Sequence, residues 1–245
     1  MKKLTSLVAM LMMVSTSAFA QFANAGASSS SSAANTDAWQ GVTASYDMGS
    51  VSFDGSGSED VDLNGFSIGY VKAFSISKSL PLFVETGLKF SYATGESTWS
   101  GSGYDYEYGL GYVELTEKLE YTYYNIQVPI NLAYKFAVND EIQIIPFTGV
   151  YLKGNIAAKV DETFTVDSEY YGSESVEESY DLYDKEEAQE CGFEKAWNRF
   201  NFGWQIGAKV AYQNFTAGIT YGLDLNEISK KVKMNNLSIS VGYNF

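Results

Sequence analysis

Apolar residues recur at every second position in most of the chain after residue 38, in segments of about ten residues. The clearest segments run from Leu82 to Tyr92, from Ile126 to Phe136, from Phe200 to Tyr212 and from Leu237 to Phe245. A period of two is that of a β-strand, and this length lets a tilted strand cross the hydrocarbon layer of a membrane. The pattern predicts an all-β fold. Further segments run over Val42–Met48, Phe66–Tyr70, Phe215–Leu223 and Ile142–Leu152, which makes about eight strands. In Ile142–Leu152 both faces are apolar, so its register stays open.

The connections between these segments alternate in length. Short ones are predicted at 75–79, 137–141 and 213–214, and long ones at 49–62, 93–120, 157–198 and 224–235. Outer-membrane barrels have short periplasmic turns and longer extracellular loops. The sequence therefore predicts a transmembrane antiparallel up-and-down β-barrel of about eight strands, located in the cell outer membrane with outer-membrane lipid around it.

The first residues read as a cleaved signal peptide over 1–20, with Lys2 and Lys3 before a short apolar run and Ala18-Phe19-Ala20 as a cleavage site. Residues 21–37 are rich in Ala and Ser and predict a flexible lead-in. The barrel domain is predicted over 38–245. No later stretch has the roughly 18 consecutive apolar residues of a membrane helix.

Charge and residue types limit the chemistry. The formal net charge is −14, and loss of Lys2 and Lys3 with the signal peptide makes it more negative, which argues against nucleic acid as a partner. The chain has no histidine, which removes His-dependent nucleophilic catalysis and imidazole metal sites. We expect no enzymatic activity, no catalytic residues, no cofactor and no defined metal site.

The alternation points four charged side chains into the lumen: Glu85, Lys89, Lys135 and Lys209. An eight-stranded barrel is only wide enough for side chains to fill it. The structural interpretation is a stabilising polar core in which opposite charges pair. The functional alternative is a narrow path through the three lysines that favours anions.

The third long loop is strongly acidic. Its acids are Asp161, Glu162, Asp167, Glu169, Glu174, Glu177, Glu178, Asp181, Asp184, Glu186, Glu187, Glu190 and Glu194, against Lys159, Lys185 and Lys195. Such a run is typical of a solvated surface, with weak Ca²⁺ binding or contact with a basic ligand as functional alternatives. Tyrosines among the acids either extend strands above the membrane or form an adhesive surface; they are Tyr104, Tyr106, Tyr108, Tyr112, Tyr170, Tyr171, Tyr180 and Tyr183. Cys191, the single cysteine, is expected to remain a thiol among these acids.

Four short motifs resemble the outer-membrane β-barrel domain family of Gram-negative bacteria, often described as porin-like. They are Tyr124-Asn125-Ile126-Gln127-Val128-Pro129-Ile130, the Phe202-Gly203 to Gly207 strand, Tyr221-Gly222-Leu223 and Val241-Gly242-Tyr243-Asn244-Phe245. The resemblance covers nearly all of Trp39 to Phe245. It implies that Phe245, with Tyr243 on the same face, forms the signal read by the barrel-assembly machinery. The acidic insertions at 93–120 and 157–198 have no counterpart in these motifs.

Three functions remain open from the sequence. The first is a non-enzymatic barrel with an envelope-structural or surface-interaction role through acidic, Tyr-rich loops. The second is a narrow, porin-like channel for small solutes. The third is a soluble periplasmic ligand-binding barrel, which requires the apolar positions of 126–136 to face inward.

Overall fold

The computed structural model describes residues 37–53, 60–106 and 110–245. The predicted signal peptide and all but residue 37 of the predicted lead-in lie outside these residues. Ten strands and one short helix occur in the described part. The strands are β1 (Gln40–Phe53), β2 (Val61–Ser75), β3 (Leu82–Asp105), β4 (Gly111–Tyr134), β5 (Phe136–Ala137), β6 (Ile142–Ser168), β7 (Gly172–Asp181), β8 (Phe200–Tyr212), β9 (Phe215–Asp224) and β10 (Val232–Asn244), and the helix is α1 (Lys185–Glu190).

Eight of these strands close into an antiparallel barrel. The ring runs β1-β2-β3-β4-β6-β8-β9-β10 and returns to β1, because β1 pairs with both β2 and β10 and β4 pairs with β6. Each remaining strand of the described part pairs only with β6: the two-residue β5 near the periplasmic rim and β7 at the opposite end. The predicted all-β fold is confirmed, with two additional strands in the described part beside the eight that form the wall.

Alternation places the predicted apolar positions on the outside of the wall. Ile68, Ile130 and Val241 are exposed there, whereas Ser67, Asn131 and Ser238 on the same strands are buried inside. An exposed apolar band around a closed barrel is the arrangement that a lipid bilayer requires, since closure leaves no unpaired strand edge in the membrane. The lumen is correspondingly polar.

The short connections lie at one end of the barrel. The start of β1 and the end of β10 lie at the same end. The turn between β5 and β6 is held by Asn139, whose side chain accepts hydrogen bonds from the backbone N–H groups of Glu141 and Ile142 at 2.9 and 2.7 Å. Between β8 and β9 only Gln213 and Asn214 intervene, and Gln213 adopts a positive φ of 53°. These turns lie close to their predicted positions.

Two of the predicted long connections, 93–120 and 157–198, contain long strand segments. β3 continues to Asp105 and β4 begins at Gly111, so most of 93–120 belongs to a hairpin. Likewise β6 continues to Ser168 and returns as β7, within the predicted loop 157–198. The sequence analysis left open whether strands extend above the membrane here, because polar outward side chains hide the period of two from a search for apolar alternation.

No helix within residues 37–53, 60–106 and 110–245 is long and apolar enough to cross a membrane.

Candidate functional site

The periplasmic end of the lumen is filled by apolar side chains. The buried residues that pack there are Ala73, Phe83, Ala133, Ile145, Phe147 and Ala211, with Trp39 against them. Trp39 and Phe83 place their ring centroids 4.6 Å apart. Phe147 lies over Gly207, where a Cβ atom would come within 2.5 Å of the ring. Glycine on β8 therefore makes room for an aromatic side chain from β6.

Lys135 lies at this end and not beside the other lumen lysines. Its Nζ donates to the backbone carbonyl of Asp37 at 2.6 Å and lies 4.8 and 4.9 Å from the ring centroids of Trp39 and Phe83. Aromatic faces and a carbonyl oxygen both favour a positive charge. The ammonium thus joins the segment before β1 to the periplasmic plug.

Glu85 and Lys209 meet in the middle of the lumen. Lys209 Nζ lies 2.6 Å from both carboxylate oxygens of Glu85. Trp39 Nε1 and Asn131 Nδ2 also donate to this carboxylate, at 3.1 and 3.4 Å. Only 2% of Glu85 is exposed, so an ion pair with further donors is the arrangement in which its charge is tolerated.

Two further ion pairs involve carboxylates that the sequence analysis did not assign to the lumen. Lys89 Nζ contacts Asp47 Oδ1 at 2.9 Å. Lys153 Nζ contacts Asp224 Oδ2 at 2.5 Å, and Tyr151 donates to Asp224 Oδ1 at 2.6 Å. Asp47 was detectable from the alternation of β1. Lys153 follows the run whose register was open, and Asp224 was assigned to a loop.

Among the described residues, the middle of the lumen therefore carries three carboxylates opposite three ammonium groups. A cavity of about 130 Å³ lies between them. Because Lys89, Lys153 and Lys209 each contact an acid, the described residues in the middle of the lumen carry no excess positive charge to favour anions. This packing weighs against the narrow anion path.

The extracellular mouth is covered by residues 182–199, which we call the cap. Asp184 begins α1 and accepts hydrogen bonds from the backbone N–H groups of Glu186 and Glu187. The underside of the cap is apolar: Leu182, Ala188, Phe193 and Trp197 are buried against residues of the barrel mouth. Those residues include Val51, Val61, Leu63, Tyr121, Tyr123, Val160, Ile228, Val232 and Met234. The acids of the cap are mostly exposed, as expected of a solvated charge run, whereas the apolar residues between them, which the sequence analysis did not assign a role, anchor the cap on the barrel.

Strands β3, β4, β6 and β7 continue above the wall as a four-stranded sheet, which we call the upper sheet (94–105, 111–122, 159–168 and 172–181). A β-bulge beside Tyr124 and Asn125 shifts the register of β6. Beyond it, the even-numbered residues of β6 face inward, as the burial of Val160 shows.

The two faces of the upper sheet differ in chemistry. Cross-strand pairing places Trp99, Leu115, Leu119, Phe164, Val166 and Val176 on the inward face, with Glu117, Glu162, Glu174 and Glu178 among them. The outward face carries Glu96, Ser100, Tyr104, Tyr112, Glu114, Thr116, Lys118, Glu120, Asp161, Thr163, Asp167, Ser175, Glu177 and Ser179. Lys118 pairs with Glu120 at 3.0 Å on that outward side.

The remaining predicted loop acids are spread over the cap and the hairpin tip. Glu194 pairs with Lys230 of the β9–β10 connection, and a Glu169 oxygen accepts from the backbone N–H of Tyr112. Tyr180 donates to Glu178, which raises the pKa of the tyrosine. Within the part of the chain that the structure describes, no group of three or more Cys, Asp or Glu side chains is placed to hold a metal ion. Nothing in this geometry supports Ca²⁺ binding.

Cys191 directly follows α1 and is partly buried. Burial, and then the charges of Glu162 and Glu117, raise the pKa of its thiol to about 11. The acids of the upper sheet therefore lie close enough to act on the cap.

A closed antiparallel barrel with an apolar outer band, a polar lumen and short turns at one end defines a transmembrane β-barrel protein. The chain belongs to the outer membrane protein beta-barrel domain family, whose model matches residues 19–230. It is therefore an outer-membrane protein in contact with lipid. The soluble periplasmic alternative is wrong, since Ile126, Ile130 and Leu132 are exposed on the outside of the wall.

Solved structures with a similar fold include the attachment invasion locus protein Ail of Yersinia pestis, with 14% identity, 85% of this chain and 99% of that chain covered, and a TM-score of 0.38. Neisserial surface protein A has 15% identity, the same coverage and a TM-score of 0.37. Ail in complex with the heparin analogue sucrose octasulfate has 13% identity, again with that coverage, and a TM-score of 0.35. At these values the similarity says nothing about function. No curated protein matches the chain.

Proposed function

We propose that this barrel is a non-enzymatic surface protein that uses its upper sheet to contact molecules outside the cell. The observation that carries the proposal is the length of the strands. β4 begins at Gly111 and reaches the membrane interface only at Tyr124. The part of the strand above the interface is therefore roughly 40 Å long at the usual rise per residue. Crossing the membrane requires none of this additional length.

The lumen supports the same function by what fills it. The apolar plug around Phe83 and Phe147, the three ion pairs and the cap occupy successive levels of the barrel. A filled lumen leaves the wall as a support for the extracellular part. The upper sheet then presents rigid strands, which position binding side chains better than irregular loops do.

A variant without the upper sheet tests this function. Residues 98–118 and 163–177 are each replaced by an Asn-Gly turn, which retains the Glu96–Glu120 and Val160–Tyr180 pairings below. Both proteins are placed in phosphatidylcholine nanodiscs and compared for binding to immobilised lysozyme, cytochrome c, serum albumin and dextran. We expect the full chain to bind at least one of these probes and the shortened chain to bind none.

Heat-modifiable migration and recovery in the outer-membrane fraction serve as controls that the shortened barrel is assembled. If the two proteins bind every probe equally, the upper sheet is not the contact surface. If neither protein binds any probe, the proposed function fails for the chemistries represented by this panel.

We also propose that Phe245 and Tyr243 act as the assembly signal. Phe245 is 63% exposed on the outer face. Its backbone N–H donates to the backbone carbonyl oxygen of Gln40 at 2.9 Å, where β10 meets β1 to close the barrel. The Tyr243 ring lies 5.3 Å from that of Phe215. Deletion of Phe245 should lower the amount of folded protein in the outer membrane, whereas Phe245→Trp should retain it. Equal recovery of the deletion variant and the unaltered chain would contradict this role.

A further inference from the structure

The inward face of the upper sheet is apolar but only partly covered by the rest of the chain. Near the mouth, Tyr121 and Val160 are buried by the cap. Higher on the same face, Trp99, Phe164 and Val176 are 56%, 36% and 60% exposed. These three lie in one cross-strand row, in which Phe164 and Val176 are direct neighbours and Glu117 stands between Trp99 and Phe164. Exposed apolar groups bordered by polar ones are typical of an interaction site.

The Trp99 indole lies along this face of β3. It lies against Gly101, two residues further on the same strand, where a Cβ atom would come within 2.8 Å of the ring. Glycine at that position lets the indole lie flat along β3. Tryptophan supplies a large contact area and has only two side-chain torsions to fix on binding, which suits an anchor residue.

The charges on this face determine which partner it fits. Glu162 and Glu178 are direct cross-strand neighbours, and Glu117 lies diagonally beside Glu162. The ion pairs of the described residues give none of these three acids a basic partner. Like charges directly opposite each other in a sheet destabilise it. A ligand that brings positive charge removes that cost.

The size of the face favours a polypeptide over a small cation. The four strands span about 14 Å, and the inward residues from Gly103 to Ser97 on β3 span about 20 Å along the strand. That area accommodates several side chains together. Apolar groups next to carboxylates that have no basic partner match a segment in which Lys or Arg alternates with apolar residues, since aromatic faces also attract cations.

We propose that the inward face of the upper sheet binds a basic, amphipathic polypeptide segment, with Trp99 and Phe164 as apolar anchors and Glu117, Glu162 and Glu178 as the groups that receive its positive charges. The inference rests on the proposed function, since it names the partner chemistry of the same sheet. It assigns binding to the inward face of the sheet and not to the outward face.

The test compares matched variants of the two faces in the full chain. A fluorescent short peptide of alternating Lys and Leu is titrated with the protein in phosphatidylcholine nanodiscs, with a Glu-Leu peptide and empty nanodiscs as controls. Trp99→Ala and the Glu162→Gln/Glu178→Gln pair alter the inward face. Tyr104→Ala and Asp161→Asn/Glu177→Gln alter the outward face by the same chemistry. Because Trp99 is mostly exposed, we expect every variant to retain heat-modifiable migration.

We expect the unaltered chain to bind the Lys-Leu peptide and not the Glu-Leu peptide. Each inward variant should lose about tenfold or more in affinity, because it lacks either an aromatic anchor or the acids that pair with the lysines of the peptide. Each outward variant should stay within about twofold. Equal losses on both faces, or no binding of the Lys-Leu peptide, would overturn the inference.

The two experiments separate the inference from the proposed function. Removal of the upper sheet could abolish binding to the probe panel while Trp99→Ala leaves both the panel binding and the peptide affinity unchanged. In that case the sheet is a contact surface that does not use its inward face. If removal of the sheet leaves the panel binding unchanged, the proposed function itself fails.

Discussion

The membrane and extracellular halves of one strand place their apolar side chains on opposite faces. In the lower half of β4, Ile126 and Ile130 face outward while Gln127 faces the lumen. In the upper half, Lys118 faces outward and Leu119 faces inward. The backbone alternation continues through both halves, but the assignment of polar and apolar residues to its two sides is reversed.

The difference shows that the surrounding solvent, and not the strand, determines which side is apolar. Below the change, hydrocarbon surrounds the barrel and the polar groups turn inward, where they require partners. Above it, water surrounds the sheet and the apolar groups turn inward. The change falls beside Tyr92 and Tyr124, whose ring centroids are 4.9 Å apart. Tyrosine is typical of such a membrane interface.

The inward side of the membrane half is the most sensitive part of this comparison. Lys209→Met leaves the Glu85 carboxylate buried with its ammonium partner removed. Breaking a buried ion pair in this way costs about 3–5 kcal/mol. We expect that decrease in the free energy of unfolding, measured by urea titration of the barrel in phosphatidylcholine vesicles.

The matched control replaces both partners. Glu85→Leu/Lys209→Met should recover most of the loss, because no unpaired charge remains. If Lys209→Met unfolds at the same urea concentration as the unaltered chain, the lumen is more hydrated than its burial indicates, and the contrast between the two halves is weaker.

The outward side distinguishes lipid from water directly. Ile130→Lys places a charge on the outside of the membrane half and should cost about 2–4 kcal/mol of unfolding free energy. Thr116→Lys makes the same change on the outward face of the upper half of β4 and should lie within about 0.5 kcal/mol of the unaltered chain. Urea titration in vesicles measures both. Equal costs for the two lysines would place the membrane boundary elsewhere on β4.

Much of the wall was predictable from the sequence because lipid enforces a strict period of two. The turns near Asn139 and at Gln213-Asn214 follow from where that period stops. The upper sheet was not predictable in the same way. Its outward residues are polar, and the bulge opposite Tyr124 and Asn125 changes which residues of β6 face inward. A one-residue shift of this kind is invisible to a search for fixed alternation.

The lumen charges were predictable only in part. The alternation of side chains along the strands predicted that Glu85, Lys89 and Lys209 face inward. The partners of the lysines, however, come from strands distant in sequence, as for Asp47 and Lys89. Pairing between distant strands depends on the order and register of the closed ring. The cap was missed for a different reason: its anchors, such as Phe193 and Trp197, follow no strand or helix period.

Cys191 reports on the environment of the cap, where burial first, and then the charges of Glu162 and Glu117, raise the pKa of its thiol. Because the pKa of the folded thiol is about 11, compared with ~8.5 for a free cysteine, its thiolate fraction at pH 8 is lower by on the order of a hundredfold. Iodoacetamide should therefore alkylate the folded chain much more slowly than the urea-unfolded chain. The folded rate should continue to rise towards pH 11. A rate that levels off near pH 8.5 would contradict this environment.

The smallest effect concerns the acids of the inward face themselves. Glu162→Gln removes the repulsion with Glu178 and leaves the Tyr180–Glu178 hydrogen bond intact. Cross-strand pairs of this kind contribute about 0.2–1 kcal/mol, so the β6–β7 hairpin should become more stable by that amount. Amide hydrogen exchange measures this change in the stability of the hairpin itself, whereas unfolding of the whole barrel would not resolve it.

Glu177→Gln, opposite Thr163 on the outward face, is the control and should change exchange little. If both substitutions slow exchange equally, the general negative charge of the sheet is responsible. Slower exchange in Glu162→Gln alone shows that the inward acids carry a local electrostatic cost in the unbound protein.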